Sequence, residues 1–132
     1  MALVLDASAL LAYLRDEPGA ELVAEAIADG VVISTVNLAE VLSRSADQGA
    51  NPAKIAAKLA QGGLLDGAIT VEPFTTADAI DAARLRPLTR NAGLSLGDRA
   101  CLALARRLGT PALTADTAWQ GVAHDVELHR IR

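Results

Sequence analysis

The chain has 132 residues, 52% of them hydrophobic and 21% charged, which suits one folded domain over residues 1–132 and excludes a disordered polypeptide. Its net charge of −4 comes from 12 basic and 16 acidic side chains, and aromatics supply only 2%, as Tyr13, Phe74 and Trp119. The core must therefore be aliphatic, and a base-stacking surface of the kind single-strand binding modules use is excluded.

Residues 2–6 read as a short apolar strand. Ser8 to Leu14 carries apolar side chains at helical spacing and is closed by Asp16-Glu17-Pro18-Gly19. A second helix is expected over about 20–28, with Leu22, Val23, Ala26 and Ile27 on one side and Gly30 as its stop. Val31 to Ser34 is a β-branched strand that leads directly into a helix from about Val36 to Asp47. Asn51-Pro52 starts the next helix, about 52–61, because Pro at the first helical position after an Asn cap is a favoured beginning. Ala68 to Val71 is a third strand, and Thr76 to Arg90 a long amphipathic helix with Pro87 as its candidate breaking point. Ser95-Leu96-Gly97-Asp98 opens a helix that ends near Leu108-Gly109; Pro111 to Thr114 is a fourth strand, and Val126 to Ile131 alternates like a fifth at an edge. Strands separated by helices imply an α/β fold with a mostly parallel sheet of about five strands, flanked by helices on both faces. Ligands in open sheets of this class bind beyond the carboxyl ends of the strands.

Four acids are placed to meet at that edge. Asp6 ends the first strand and Asp116 the fourth, while Glu40 and Asp98 lie near the starts of two helices. Each has an ordinary alternative. Asp6 and Asp116 are positioned to cap helical turns, and Ser95 with Asp98 has the spacing of a capping box. Glu40 sits in the otherwise apolar text Val36-Asn37-Leu38-Ala39-Glu40-Val41-Leu42, so it is either a ligand or on the solvent face, since burying it unpaired is costly. Asn37 shares its helical face, and Ser8 is placed to orient the Asp6 carboxylate. Gathered acids repel one another unless a hard cation with a preference for oxygen offsets the charge. Setting these four aside leaves twelve acids against twelve bases, so the excess negative charge belongs numerically to the cluster.

The remaining chemistry-bearing residues say less. Cys101, the one cysteine, lies in an apolar string and reads as a small buried hydrophobe. Arg84, Arg86, Arg90, Arg99, Arg106 and Arg107 crowd one stretch, which fits either a solvated helical face or a phosphate track. Arg99 in particular is either a phosphate contact or a solvent-facing helical arginine. His124 and His129 fall in the C-terminal edge region and receive no role. No membrane span and no basic leader region is legible, so a soluble cytoplasmic protein is expected.

The ordered set Val4-Leu5-Asp6-Ala7-Ser8-Ala9-Leu10, Val36-Asn37-Leu38-Ala39-Glu40-Val41, Ser95-Leu96-Gly97-Asp98-Arg99-Ala100-Cys101-Leu102-Ala103-Leu104-Ala105 and Leu113-Thr114-Ala115-Asp116 resembles a PIN domain, the metal-dependent ribonuclease fold. It is particularly similar to the VapC toxins of bacterial and archaeal toxin–antitoxin pairs, over nearly the whole chain. The resemblance implies that Asp6, Glu40, Asp98 and Asp116 form the acidic quartet that binds Mg²⁺ or Mn²⁺ and carries catalysis, with Ser8, Asn37 and Thr114 in support. It implies an endoribonuclease with an RNA substrate, a homodimer, and a cognate antitoxin whose C-terminal segment lies over the site. Two rivals are a metal-dependent phosphatase or phosphotransfer domain and a non-catalytic PIN-like interaction domain. A dehalogenase-like phosphatase needs an acid/base Asp two residues after its nucleophile, where this chain has Ser8. A receiver domain wants adjacent acids after the first strand and an acceptor Asp after the third, which Val71-Glu72-Pro73-Phe74 does not supply.

Overall fold

The computed structural model describes residues 2–120 and 125–132. Five strands form one sheet: β1 (Leu3–Leu5), β2 (Val31–Ser34), β3 (Ile69–Glu72), β4 (Ala112–Thr114) and β5 (Leu128–Arg130), in the order β3-β2-β1-β4-β5. Every neighbouring pair is parallel. The helices are α1 (Ala7–Leu14), α2 (Ala20–Asp29), α3 (Thr35–Asp47), α4 (Pro52–Gln61), α5 (Thr76–Thr89) and α6 (Leu96–Leu108).

Alternation along the strands divides the core in two. Leu5, Val31 and Ile33 face a cluster with Leu10, Val23 and Val41, contributed by α1, α2 and α3. Val4, Val32 and Ala112 face the other side, where Leu85, Cys101, Leu102, Leu104 and Trp119 fill the space under α5 and α6. Both faces are thus dry, as parallel strands require. Cys101 is fully buried there, and desolvation pushes its thiol pKa well up, consistent with a packing role.

Local chemistry fixes the element boundaries. Ser34 ends β2 and accepts the Val36 N–H, so the strand becomes α3 without a loop. Asn51 accepts the Ala53 N–H ahead of Pro52, and Gly109, at φ 65°, closes α6 in the left-handed conformation that favours glycine. Pro87 does not break α5: it is exposed, where water can meet the carbonyl its ring leaves without an N–H partner, and the helix runs on to Thr89 before a 3₁₀ turn over Arg90–Ala92.

The register aligns the site. Leu5 pairs with Ile33 on one side and Leu113 on the other, so the carboxyl ends of β1, β2 and β4 emerge together.

Candidate active site

At that edge lies a cavity of about 500 Å³ whose lining includes Asp6, Glu40, Asp98 and Asp116. The topology has therefore brought all four acids to one place, from the β1–α1 junction, α3, α6 and the end of β4.

Asp6 is the deepest, at 3% exposure. It caps α1 by accepting the Ala9 N–H at 2.8 Å, so the capping alternative is true. It is also incomplete. The Ser8 hydroxyl lies 2.7 and 2.8 Å from the two carboxylate oxygens, and the Thr114 hydroxyl donates to Oδ2 at 2.6 Å. Both hydroxyls are themselves oriented: Ser8 Oγ accepts the Ala115 N–H at 3.0 Å, and Thr114 Oγ1 accepts the Asp116 N–H at 2.9 Å. Two backbone amides after β4 thus turn two hydroxyl protons toward Asp6, an arrangement suited to a carboxylate. Burial nevertheless dominates and pushes the Asp6 carboxyl up to about 6, with these hydrogen bonds opposing the shift and Asp98 adding repulsion.

Glu40 is half-buried on α3. The Asn37 amide donates to Glu40 Oε1 and to the Gly97 carbonyl, each at 2.9 Å, tying α3 to the first turn of α6. A Cβ on Gly97 would collide with Glu40 Oε1, so the bare Cα is what lets the carboxylate sit there. Asp98 completes a reciprocal capping box with Ser95, its Oδ2 accepting the Ser95 N–H at 2.8 Å, and still lines the cavity. Burial raises both carboxyls; Asp98 raises Glu40 further, and Asp116 raises Asp98. Asp116 accepts the Ala118 N–H at 2.8 Å. Asp98 is thus the hub through which the acids feel one another.

The donors are all oxygens, the type that Mg²⁺ and Mn²⁺ take. Among the described residues, however, no three acidic, histidine or cysteine groups converge tightly enough to hold a metal ion. By chemistry the set fits a hard divalent cation; by spacing it fits one that keeps much of its water, as Mg²⁺ does when one or two carboxylates hold it.

A family model described as the PIN domain matches residues 3–125. The chain belongs to the PIN-domain family. Its fold is similar to a toxin–antitoxin complex from Klebsiella pneumoniae, with TM-score 0.73 at 16% identity, covering 99% of this chain and 98% of that one. It is similar to FitAcB from Neisseria gonorrhoeae, with TM-score 0.74 at 20% identity over 98% and 97% of the two chains. VapC20 of Mycobacterium tuberculosis, described as a sarcin-ricin loop cleaving toxin, gives TM-score 0.69 at 18% identity, covering 93% of this chain and 98% of that chain. No curated protein matches by sequence.

The arginines of this PIN domain are not where the sequence suggested. Arg99 is neither a phosphate contact nor a solvent-facing residue: it is 8% exposed and donates to the Ala82 carbonyl at 2.9 Å across the α5–α6 contact. One residue along a helix turns a side chain by about 100°, so Asp98 faces the cavity and Arg99 its neighbour helix. Arg84 and Arg106 pair with Asp81, and Arg107 with Asp78, on the same flank. The arginines that line the cavity are Arg15, Arg44 and Arg132, none of them singled out by sequence. Arg44 had a signal, standing four residues after Glu40 on one helix face. So did Gly97, a glycine inside a helical first turn. Arg15 had none. His129 is exposed beside Glu127, and His124 lies outside the described residues. No helix among the described residues is long and apolar enough to cross a membrane.

Proposed function

We propose that this PIN domain is a divalent-metal-dependent endoribonuclease acting as the toxin of a toxin–antitoxin pair. The observation that carries the reading is the meeting of Asp6, Glu40, Asp98 and Asp116 in one cavity, with no cationic partner against Asp6, whose carboxyl burial lifts to about 6. PIN domains are nucleases that generally use divalent metals, and the similar folds include proteins described as a toxin–antitoxin complex and a sarcin-ricin loop cleaving toxin.

Asp6 and Asp98 are the residues best suited to hold Mg²⁺ or Mn²⁺ directly, with Glu40 and Asp116 completing the oxygen set. When bound, the cation lowers the pKa of water to generate a nucleophile and offsets charge on the phosphodiester oxygens. Ser8 and Thr114 orient Asp6 by hydrogen bonds to its oxygens. Asn37 holds Glu40 against α6. The phosphotransfer alternative fits less well, because Asp6 is buried and both its oxygens accept hydrogen bonds, which blunts a nucleophile. A cognate antitoxin belongs to the same proposal, on the similarity to a described toxin–antitoxin complex, and a homodimer is proposed with it from the resemblance to the VapC toxins.

The test compares cleavage of total cellular RNA by wild type, Asp6→Ala and Asp98→Asn, with and without EDTA. Cleavage that needs added Mg²⁺ or Mn²⁺ and disappears in both variants is expected. Metal-independent cleavage, or full activity in both variants, would sink the proposal. Induced expression with and without a small adjacent gene tests the antitoxin: growth arrest relieved by that gene is expected.

A further inference from the structure

The protein is net negative, and its candidate active cavity is lined by five carboxylates, those of Asp6, Glu17, Glu40, Asp98 and Asp116. A polyanion approaching such a cavity is repelled unless cations at its rim meet the phosphates. A divalent ion on the floor addresses one phosphodiester and leaves the neighbouring phosphates of a strand unmet.

Three guanidinium groups share the lining, and they differ in how free they are. Arg132 donates to the Pro18 carbonyl at 2.8 Å and lies 4.0 Å from Glu17, so it is engaged. Among the described residues, neither Arg15 nor Arg44 has a carboxylate within 4.0 Å or a hydrogen bond from its guanidinium. The charge of Arg44 is felt at the Glu40 carboxylate, where it opposes the upward shift, without an ion pair forming. On the α5–α6 flank, by contrast, Arg84, Arg106 and Arg107 have aspartate partners and Arg99 is bonded to a backbone carbonyl. A planar guanidinium is well matched to phosphate, and these two, unlike the equally unpaired Arg86 and Arg90, sit in the cavity lining.

We propose that Arg15 and Arg44 form the phosphate-binding rim of this cavity and hold backbone phosphates of single-stranded RNA flanking the bond to be cut. The inference rests on the nuclease reading but concerns binding, so it is tested by binding. The guanidinium groups meet phosphate and carry no base preference, in keeping with the lack of aromatic stacking residues.

The experiment is a fluorescence-anisotropy titration of a short fluorescein-labelled single-stranded RNA over a series of salt concentrations without divalent metal. Wild type, Arg15→Gln/Arg44→Gln and the control Arg86→Gln/Arg90→Gln are compared, each checked for an unchanged melting temperature. Arg86 and Arg90 are exposed on α5 and the turn after it, so the control removes the same net charge away from the cavity. The rim variant is expected to weaken binding about tenfold or more, and to flatten the dependence of log K on log salt by roughly 0.7 for each phosphate it no longer neutralises. The control is expected to retain the wild-type slope. A wild type that binds no RNA, a rim variant with the wild-type slope, or a control weakened to the same degree each overturns the inference. A wild type that binds RNA through these arginines yet cuts none with Mg²⁺ or Mn²⁺ sinks the nuclease reading and leaves the rim standing.

Discussion

Asp6 and Asp78 are nearly equally buried, at 3% and 2% exposure, and both sit in the N-terminal turn or cap of a helix. Their electrostatic fates are opposite. Burial pushes the Asp78 carboxyl up, but hydrogen bonds and charge from Arg107, with Thr75 helping, outweigh it and hold the group below its ordinary range. At Asp6 only neutral donors oppose burial, and the carboxyl rises to about 6. A buried acid with its own arginine is part of the scaffold. One wrapped in hydroxyls and amides, beside other acids, has no cation of its own, and the proposed metal would supply it.

The largest expected effect breaks that pairing directly. Asp6→Asn should lower RNA cleavage by more than the about 10- to 100-fold typical of groups that merely support a ligand. Asp78→Asn should leave cleavage per folded molecule within about twofold. Initial-rate assays on both variants at matched folded fraction check this, and equal losses would erase the distinction between the two aspartates.

The same contrast predicts opposite pH dependences. In the unfolded chain the Asp6 carboxyl titrates near 3.8, and in the fold near 6. The fold therefore holds that proton more tightly, so its contribution is fully present below about 3.8 and lost as the pH rises through about 6. At about 1.4 kcal/mol per pKa unit, the loss is roughly 3 kcal/mol. Asp78 runs the other way: its contribution is present above its ordinary value and lost as the pH falls. Urea unfolding in EDTA should show wild type losing ground to Asp6→Asn as the pH rises from about 3.8 to about 6, and levelling off above that. Excess Mg²⁺ should then stabilise wild type at the upper end and much less at the lower.

A smaller effect belongs to the paired flank. Asp78→Ala removes a partner of Arg107 and a member of the α5 capping box, at a cost of about 2 kcal/mol because Arg107 can turn to water. Thermal melting should fall by several degrees, while metal-dependent stabilisation stays as in wild type. Loss of the metal response in Asp78→Ala would show that the two regions are coupled.

Much of this contrast was legible in the sequence, unevenly. The apolar strands and the acids that end them placed Asp6 and Asp116 at one sheet edge, since strand direction follows from the βαβ order alone. Ser8 beside Asp6 was readable as its orienting donor, and the structure shows that bond. The arginines were not read correctly, although the period was there: Arg99, Arg106 and Arg107 stand at i, i+7 and i+8 on α6, one stripe turned toward α5. Their partners Asp78 and Asp81 lie on a different helix, and no local pattern announces a pairing across the α5–α6 contact. Arg15, the C-cap of α1, lines the cavity through tertiary placement, which no sequence period announces.

The finest test asks whether Glu40 belongs with Asp6 on the unpaired side. Glu40 is held by the neutral Asn37 amide, and its carboxylate occupies the space a side chain at Gly97 would need. In Gly97→Ala the new methyl meets the far end of a flexible side chain, which can swing away at little cost to stability. The helical position also tolerates alanine, whose propensity exceeds that of glycine by about 1 kcal/mol. The melting temperature should therefore hold or rise slightly while Glu40 leaves its place beside Asp98. A displacement of that size at a reacting centre should lower kcat by about tenfold and weaken Mg²⁺ activation in parallel. If Gly97→Ala cleaves RNA at the wild-type rate with the wild-type metal requirement, Glu40 is a half-buried acid of the α3–α6 contact and the unpaired set shrinks to Asp6, Asp98 and Asp116.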